Sequence, residues 1–325
     1  MESRSFERDY EAMDLIIDGA FSHVRRCRHR LSGKMAVTKE LCNTKLMPHE
    51  FLSSKKNGKM VPTEIWLLEV MHHPNIVKFF EYYETTLGYQ MVMEYRPDST
   101  DLFEFLGTDP KLDDMLLCFI FRQVVEAVNH LHSMGFCHGD LKDENVVLDQ
   151  NFRCMLIDFG SAFPSDSLVT QETLRTTYIY MCPELIRGDS CSGVPAEMWQ
   201  LGVLLYRLCA PNLPFFTGIQ SMDKTPELPE QASSGAKHLL SWLLAADPSN
   251  RAGLSEVLEH WWTNQNVPIE NYHWDQLYQE SDKGTDSPPS STVTPEIPTT
   301  IRKTDFDNNI VARELLAQLD DMTSM

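Results

Sequence analysis

Apolar residues recur at helical spacing between Leu116 and Ser133, with Cys118, Ile120, Phe121, Val124, Val125, Val128 and Leu131 on one face. That segment reads as a buried amphipathic helix. A second helix start stands at Pro62-Thr63-Glu64-Ile65-Trp66-Leu67-Leu68, with Pro62 or Thr63 at the cap and apolar residues following at the same period. Shorter apolar runs behave differently. Val146-Val147-Leu148 and Met155-Leu156-Ile157 are too short for helices and read as paired strands, while Ala36-Val37-Thr38-Lys39 ends another β-like run. The patterning stops near Trp261-Trp262. Residues 281–300 are rich in Ser, Thr and Pro and too poor in large apolar groups to offset the entropy of ordering. A pattern then returns, with Asp305 or Asp307 placed to cap a helix running to about Asp321. Its broad apolar stripe is Ile310, Val311, Leu315, Leu316 and Leu319. So short a helix needs a surface, its own folded domain or a partner, or else stays marginal.

The chemistry is concentrated in His138-Gly139-Asp140-Leu141-Lys142-Asp143-Glu144-Asn145 and in Leu156-Ile157-Asp158-Phe159-Gly160. Asp140 and Asn145 lie five residues apart on one loop, and Asp158 follows thirteen residues after Asn145. The intervening hairpin returns the chain to its starting edge, so Asp158 can face Asn145. Mg²⁺ needs about six oxygens and binds through a few protein ligands plus substrate phosphates. Oxygen side chains so placed, an acid to orient a hydroxyl and a lysine nearby make a phosphoryl-transfer centre.

These segments resemble the catalytic loop and Asp-Phe-Gly signature of the eukaryotic protein kinases. The resemblance covers roughly residues 10–262 and implies an α+β, bilobal protein-kinase fold. The small β-rich lobe, about 10–95, would carry one helix, and the larger helical lobe would span about 96–262. It further implies that Asp140 is the catalytic base, that Lys142 stabilises the γ-phosphate, and that Asn145 and Asp158 hold the metal. Lys39 would grip the α- and β-phosphates, with Glu64 as its partner. Met93 would be the gatekeeper, and the backbone of Glu94 and Arg96 would bond adenine. Cys182-Pro183-Glu184 stands where the family has Ala-Pro-Glu, with Arg251 as the distant partner of Glu184. His138, Phe159, Leu68 and Phe79 match a stacked apolar spine, which makes His138 a packed histidine. Glu197 replaces the usual Asp of the central helix, so its bond to the catalytic-loop backbone uses a longer side chain. The cofactors implied are ATP and Mg²⁺, with Mn²⁺ as an alternative.

Within the kinases, the segments Gly58–Ile65, Asp101–Leu106, Ile120–Val125 and Leu141–Asn145 are most similar to the PAS kinase catalytic domain and more distantly to the Pim kinases. The motifs begin within the first twenty residues, so no PAS sensor domain is expected before them.

Two departures stand out. The Gly-rich loop over the phosphates is degenerate: Ile17-Asp18-Gly19-Ala20-Phe21-Ser22, then Val24, keeps only the middle glycine. Ile17, Gly19, Phe21, Val24 and Val37 are still expected around the nucleotide, with Phe21 capping the phosphates. Gly139 replaces the arginine that in many kinases receives a phosphate on the activation segment. Such a charge-assisted bond contributes about 1.5–3 kcal/mol. Activity independent of activation-segment phosphorylation is therefore expected. Of Thr170, Thr173, Thr176 and Thr177, the resemblance assigns Thr177 to the catalytic aspartate and leaves the others open to modification.

Asp101 lies where the family contacts ribose or a substrate arginine, and Glu144 flanks the catalytic loop. Two carboxylates there favour a basic residue about three positions before the target Ser or Thr. Arg207 stands against a second basic subsite. Lys142 implies Ser or Thr as acceptor.

The net charge of −19 argues against unassisted binding to nucleic acid or anionic membranes and suits basic protein substrates. The clusters Arg25–Arg30 and Lys55–Lys59 are expected to be solvated hairpins. Eight cysteines without C-x-x-C spacing indicate neither zinc nor a disulfide framework. The charged start is no signal peptide, and a cytoplasmic, possibly nuclear, location is expected. The organisation read from the sequence is an N-terminal extension over 1–9, the kinase-like domain over 10–262, a linker over 263–304 and a helix over 305–325. The competing reading is a pseudokinase, a binding module motivated by Ile17, Ser22, Gly139 and Cys182.

Overall fold

The small β-rich lobe expected over about residues 10–95 holds a five-stranded antiparallel sheet. Its strands are β1 (Tyr10–Asp18), β2 (His23–His29), β3 (Met35–Cys42), β6 (Phe79–Glu84) and β7 (Gly88–Glu94), ordered β1-β2-β3-β7-β6. This computed structural model describes residues 5–18, 23–43, 46–47, 50–215 and 226–278. Gly19, Phe21 and Ser22, the stretch 281–300 and the helix expected over 305–325 lie outside the described residues.

A helical turn, α1 (Phe6–Asp9), precedes β1. The motifs leave it outside the domain, yet Phe6 is buried, stacked on Tyr10 at 5.4 Å and edge-on to Tyr83 at 5.9 Å. Its aromatic ring joins a small core with Cys27, Ala36 and Val92. A hairpin of β4 (Phe51–Ser53) and β5 (Met60–Pro62) then leads into α2 (Thr63–Val70). Pro62 occupies the N-cap, and Glu64, Ile65, Leu67 and Leu68 are buried. Both basic clusters are locally engaged. Arg26 pairs with Asp14 and Lys59 with Glu84, and Arg30 donates to the carbonyl of Glu7 at 2.9 Å.

The second lobe is helical. After β8 (Ser99–Asp101) come α3 (Leu102–Gly107) and α4 (Asp114–Ser133), the expected amphipathic helix begun two residues early. Asp113 caps α4 by accepting the N–H of Leu116 at 2.9 Å. The short strand β9 (Phe136–Cys137) leads to the catalytic loop and a 3₁₀ turn, Asp143–Asn145. The expected hairpin follows as β10 (Val146–Asp149) and β11 (Cys154–Leu156). The chain continues through β12 (Phe163–Pro164), β13 (Leu168–Val169), α5 (Pro183–Ile186) and β14 (Cys191–Ser192) to the central helix α6 (Gly193–Cys209). Beyond it lie α7 (Ser234–Leu243) and α8 (Leu254–Glu259). Trp199 and Trp262 are almost fully enclosed, and burying large apolar side chains contributes roughly 1.5–3 kcal/mol each.

The linker expected from residue 263 is corrected by packing. A last turn, α9 (Trp274–Leu277), lays Trp274 on Phe105 at 5.1 Å, and Tyr272 donates to Asp113 at 2.8 Å. Three aromatic residues within seven positions supply burial that the polar composition of the stretch conceals. Among the described residues no helix is long and apolar enough to cross a membrane. All eight cysteines are free thiols.

Candidate active site

Residues paired directly across antiparallel strands share a face. The register aligns Ile17 with Val24, Val24 with Lys39 and Lys39 with Met91. Val37 and Met93 pair two residues along, on the same side. Ile17, Val24, Val37, Lys39 and Met93 therefore line one face of the small lobe. From that face Lys39 Nζ donates to Glu64 Oε1 at 2.7 Å and to Asp158 Oδ1 at 2.8 Å. Burial alone would push the ammonium toward its neutral form. Asp158 and Glu64 outweigh it and hold the Lys39 pKa above the ordinary lysine value.

Asp158 has a φ of 62°, a left-handed conformation that costs a non-glycine residue about 1–3 kcal/mol. A Cβ at Gly160 would lie 3.2 Å from Asp158 Oδ1 and 3.3 Å from Glu64 Oε2, so glycine keeps this cradle open.

Asp140 is held from several sides. Thr176 Oγ1 donates to Oδ1 at 3.0 Å, and Asn145 Nδ2 donates to its carbonyl at 2.7 Å and to Oδ2 at 3.1 Å. Lys142 Nζ stands 3.1 Å from Asp140 Oδ2, 3.0 Å from Glu144 Oε2 and 3.2 Å from Thr177 Oγ1. Burial again works against the charge on Lys142, and Asp140 and Glu144 overcome it, raising its pKa. The threonine assignment needs correcting: Thr176 meets Asp140 and Thr177 meets Lys142. Just before the 3₁₀ turn Tyr178–Tyr180, two consecutive hydroxyls reach the loop instead of one. The two halves of the site are joined where the N–H of Ile157 donates to the carbonyl of Asn145 at 3.0 Å.

A frame surrounds these groups. Glu197 Oε1 accepts the N–H of His138 and, at 3.3 Å, that of Gly139, while its other oxygen pairs with His132. Gln200 accepts the N–H of Leu141 at 3.1 Å and donates to the carbonyl of Gly139 at 3.2 Å. His138 is buried with its ring 5.0 Å from Phe159, a packed histidine as expected. Arg251 clasps Glu184 with two bonds of 2.9 and 3.0 Å. Arg207 pairs with Asp143 at 3.1 Å, and Tyr180 donates to the same carboxylate at 2.8 Å.

Between the lobes, the N–H of Glu94 donates to Lys78 at 2.8 Å, while Arg96 reaches Glu94 at 3.2 Å and Asp149 at 3.5 Å. Asp101 does an unforeseen job: its Oδ1 accepts the N–H of Glu104 at 2.7 Å and caps α3. Burial pushes its pKa up to about 7, the cap bond opposes this, and the charges of Glu104, Asp143 and Glu144 add to it.

Two lobes meeting at Lys39–Asp158, with an acid loop beneath, match the protein kinase domain over residues 10–263. The chain belongs to that family. It is 34% identical over 84% of its length to the mouse (Mus musculus) PAS domain-containing serine/threonine-protein kinase. It is 32% identical over 83% to the maternal embryonic leucine zipper kinase of Xenopus tropicalis, and 28% identical over 78% to the human (Homo sapiens) NUAK family SNF1-like kinase 1. It spans 20%, 41% and 38% of the lengths of these relatives.

The donor set of this kinase domain fits the implied metal. Asn145 uses its amide nitrogen on Asp140, which makes its oxygen the atom that can meet a cation. The Asp158 side chain is 34% exposed. A few hard oxygens of this kind suit Mg²⁺, which completes its shell with phosphate and water.

Proposed function

We propose that the chain is an ATP-dependent serine/threonine protein kinase. The observation that carries this reading is the convergence of Lys39 on both Glu64 and Asp158 while Asp140 is held by Thr176, Asn145 and Lys142. In this reading Asp140 orients the acceptor hydroxyl and takes its proton as the oxygen attacks the γ-phosphorus and the bond to the β–γ bridging oxygen breaks. Lys142, held charged by its carboxylate neighbours, balances the charge developing on the transferred group. Lys39 grips the α- and β-phosphates. Asn145 and Asp158 hold Mg²⁺, which neutralises phosphate charge. Adenine lies against Ile17, Val24, Val37 and Met93, bonded by the backbone of Glu94 and Arg96.

Asp101 and Glu144 supply the preference for a substrate arginine about three positions before the acceptor. The like charges around Asp101 support an acidic groove, and the Arg207–Asp143 pair supports a single basic subsite instead of two. Turnover without activation-segment phosphorylation is supported by Gly139 and by Thr170 and Thr173, whose hydroxyls bond within their own turn. If Thr170→Ala or Thr173→Ala abolished turnover in a folded protein, that part would fail.

The decisive experiment is transfer of the γ-phosphate to an arginine-containing serine peptide, with Asp158→Asn as control. Signal in the wild type and loss in the variant are expected. Equal signal from both would expose a contaminant and return the reading to a pseudokinase.

A further inference from the structure

Gly139 is more than a missing arginine. Its φ is +82°, and a Cβ there would fall 2.2 Å from the carbonyl oxygen of Ser161 and 3.1 Å from Cε1 of Phe163. The backbone of the activation segment thus occupies the room that any side chain at 139 would need. The other edge of the same ring meets a second glycine: a Cβ at Gly193, the first residue of α6, would lie 2.4 Å from Cε2 and 3.2 Å from Cζ of Phe163. One phenyl ring fills a slot between the catalytic loop and the central helix, and both walls are glycine.

The surrounding bonds run the same way. Phe163 in β12 pairs with Cys137 in β9, directly before the catalytic loop. Gly193 donates its N–H to the carbonyl of Ser167 at 3.1 Å, and Ser165 donates to that of Gly135 at 2.9 Å. Ser161 Oγ donates to the carbonyl of Arg175 at 3.2 Å, and Arg175 pairs with Glu50 at 2.9 Å. The carbonyl of Glu50 in turn accepts the hydroxyl of Thr63 at 2.9 Å, next to Glu64 on α2.

We propose that Phe163, wedged between Gly139 and Gly193, is a positioning residue that ties the activation segment to the catalytic loop and central helix without a phosphate. The inference rests on the kinase reading for its kinetic consequence, not for its geometry. With the ring seated, Thr176 and Thr177 are delivered to Asp140 and Lys142. With it displaced, those hydroxyls leave and the acceptor is poorly oriented.

Gly193→Ala tests this cleanly, because position 193 has no positive φ and alanine is intrinsically better in a helix than glycine. The added methyl should push the ring out and lower kcat on the order of ten- to a hundredfold, with KM for ATP changed far less. Phe163→Leu, which shortens the ring away from position 193, should cost severalfold less. Combined, the two should recover toward the Phe163→Leu level, because the new methyl then has room. Amide hydrogen exchange over 161–177 should rise in Gly193→Ala and fall back in the double variant, with exchange over α7 unchanged. Full activity in Gly193→Ala, or single effects that simply multiply, would overturn the proposal. Should the wild type transfer no phosphate at all, the kinase reading falls while the exchange comparison still decides whether the ring holds the segment.

Discussion

Two of the buried ion pairs among the described residues, one in the cleft and one beneath the activation segment, are built on opposite plans. Arg251 and Glu184 form a closed set: the guanidinium makes two bonds to the carboxylate, donates further to the carbonyls of Ala245 and Pro195, and covers the face of Trp199 at 5.1 Å. Both side chains are nearly inaccessible. Lys39 is an open set, one ammonium between two carboxylates, with Asp158 a third exposed and in a strained backbone conformation. A saturated pair has nothing left to give a ligand. A pair that shares one ammonium between two carboxylates, one of them a third exposed, keeps a carboxylate within reach of a cation. The first plan suits folding and, on the function proposed above, the second suits chemistry.

The comparison is broken most sharply by removing each cation. Arg251→Ala leaves Glu184 buried without compensation and should cost about 3–5 kcal/mol of stability, read as a lower urea midpoint. Lys39→Met leaves Glu64 buried in the same way and should also lower the urea midpoint, but it should in addition lower phosphate transfer on the order of 10²–10³-fold. Phosphate transfer lost equally from the two folded variants would erase the distinction.

A smaller effect sharpens it. Thr176→Val deletes the hydroxyl that donates to Asp140 while keeping shape. A hydrogen bond to a charged group contributes about 1.5–3 kcal/mol. Turnover should therefore fall by at least about tenfold, and Thr177→Val should act separately through Lys142. If only Thr177→Val slowed the reaction, the assignment of hydroxyls would have to be reversed.

How much of this was legible depends on how far apart the partners lie and what joins them. The spacing of the hairpin set Asp158 opposite Asn145, whereas Lys39 and Glu64 were joined to them only by the resemblance. Glu184 and Arg251 followed from the resemblance, across sixty-seven residues. The threonines were misassigned because the resemblance picks one residue, whereas two consecutive hydroxyls just before a 3₁₀ turn reach the loop. Gly139 was legible only as a loss. That it makes room for Ser161 and Phe163 is a long-range packing fact with no local signature. The docking of Trp274 on Phe105 was hidden for the same reason, and the capping role of Asp101 was missed although Glu104 follows it at the capping-box interval.

Asp101 offers the subtlest prediction, because it caps a helix with a pKa pushed up to about 7 and is the carboxylate proposed above to meet a substrate arginine. The sign is set by that elevation. The folded state holds this proton more tightly than the unfolded chain does, so the group's own contribution to stability declines as pH rises from the ordinary carboxylate range toward 7. Recognition of a substrate arginine runs the opposite way, since only the ionised carboxylate attracts a guanidinium. For a peptide with arginine at minus three, kcat/KM should fall about tenfold between about pH 8 and about pH 6, following the ionised fraction in the free enzyme. A peptide lacking that arginine should show no such limb, and Asp101→Asn should remove the limb from the arginine peptide while lowering its plateau. A limb that persists unchanged in Asp101→Asn would assign the titration to another group and leave Asp101 as a helix cap alone.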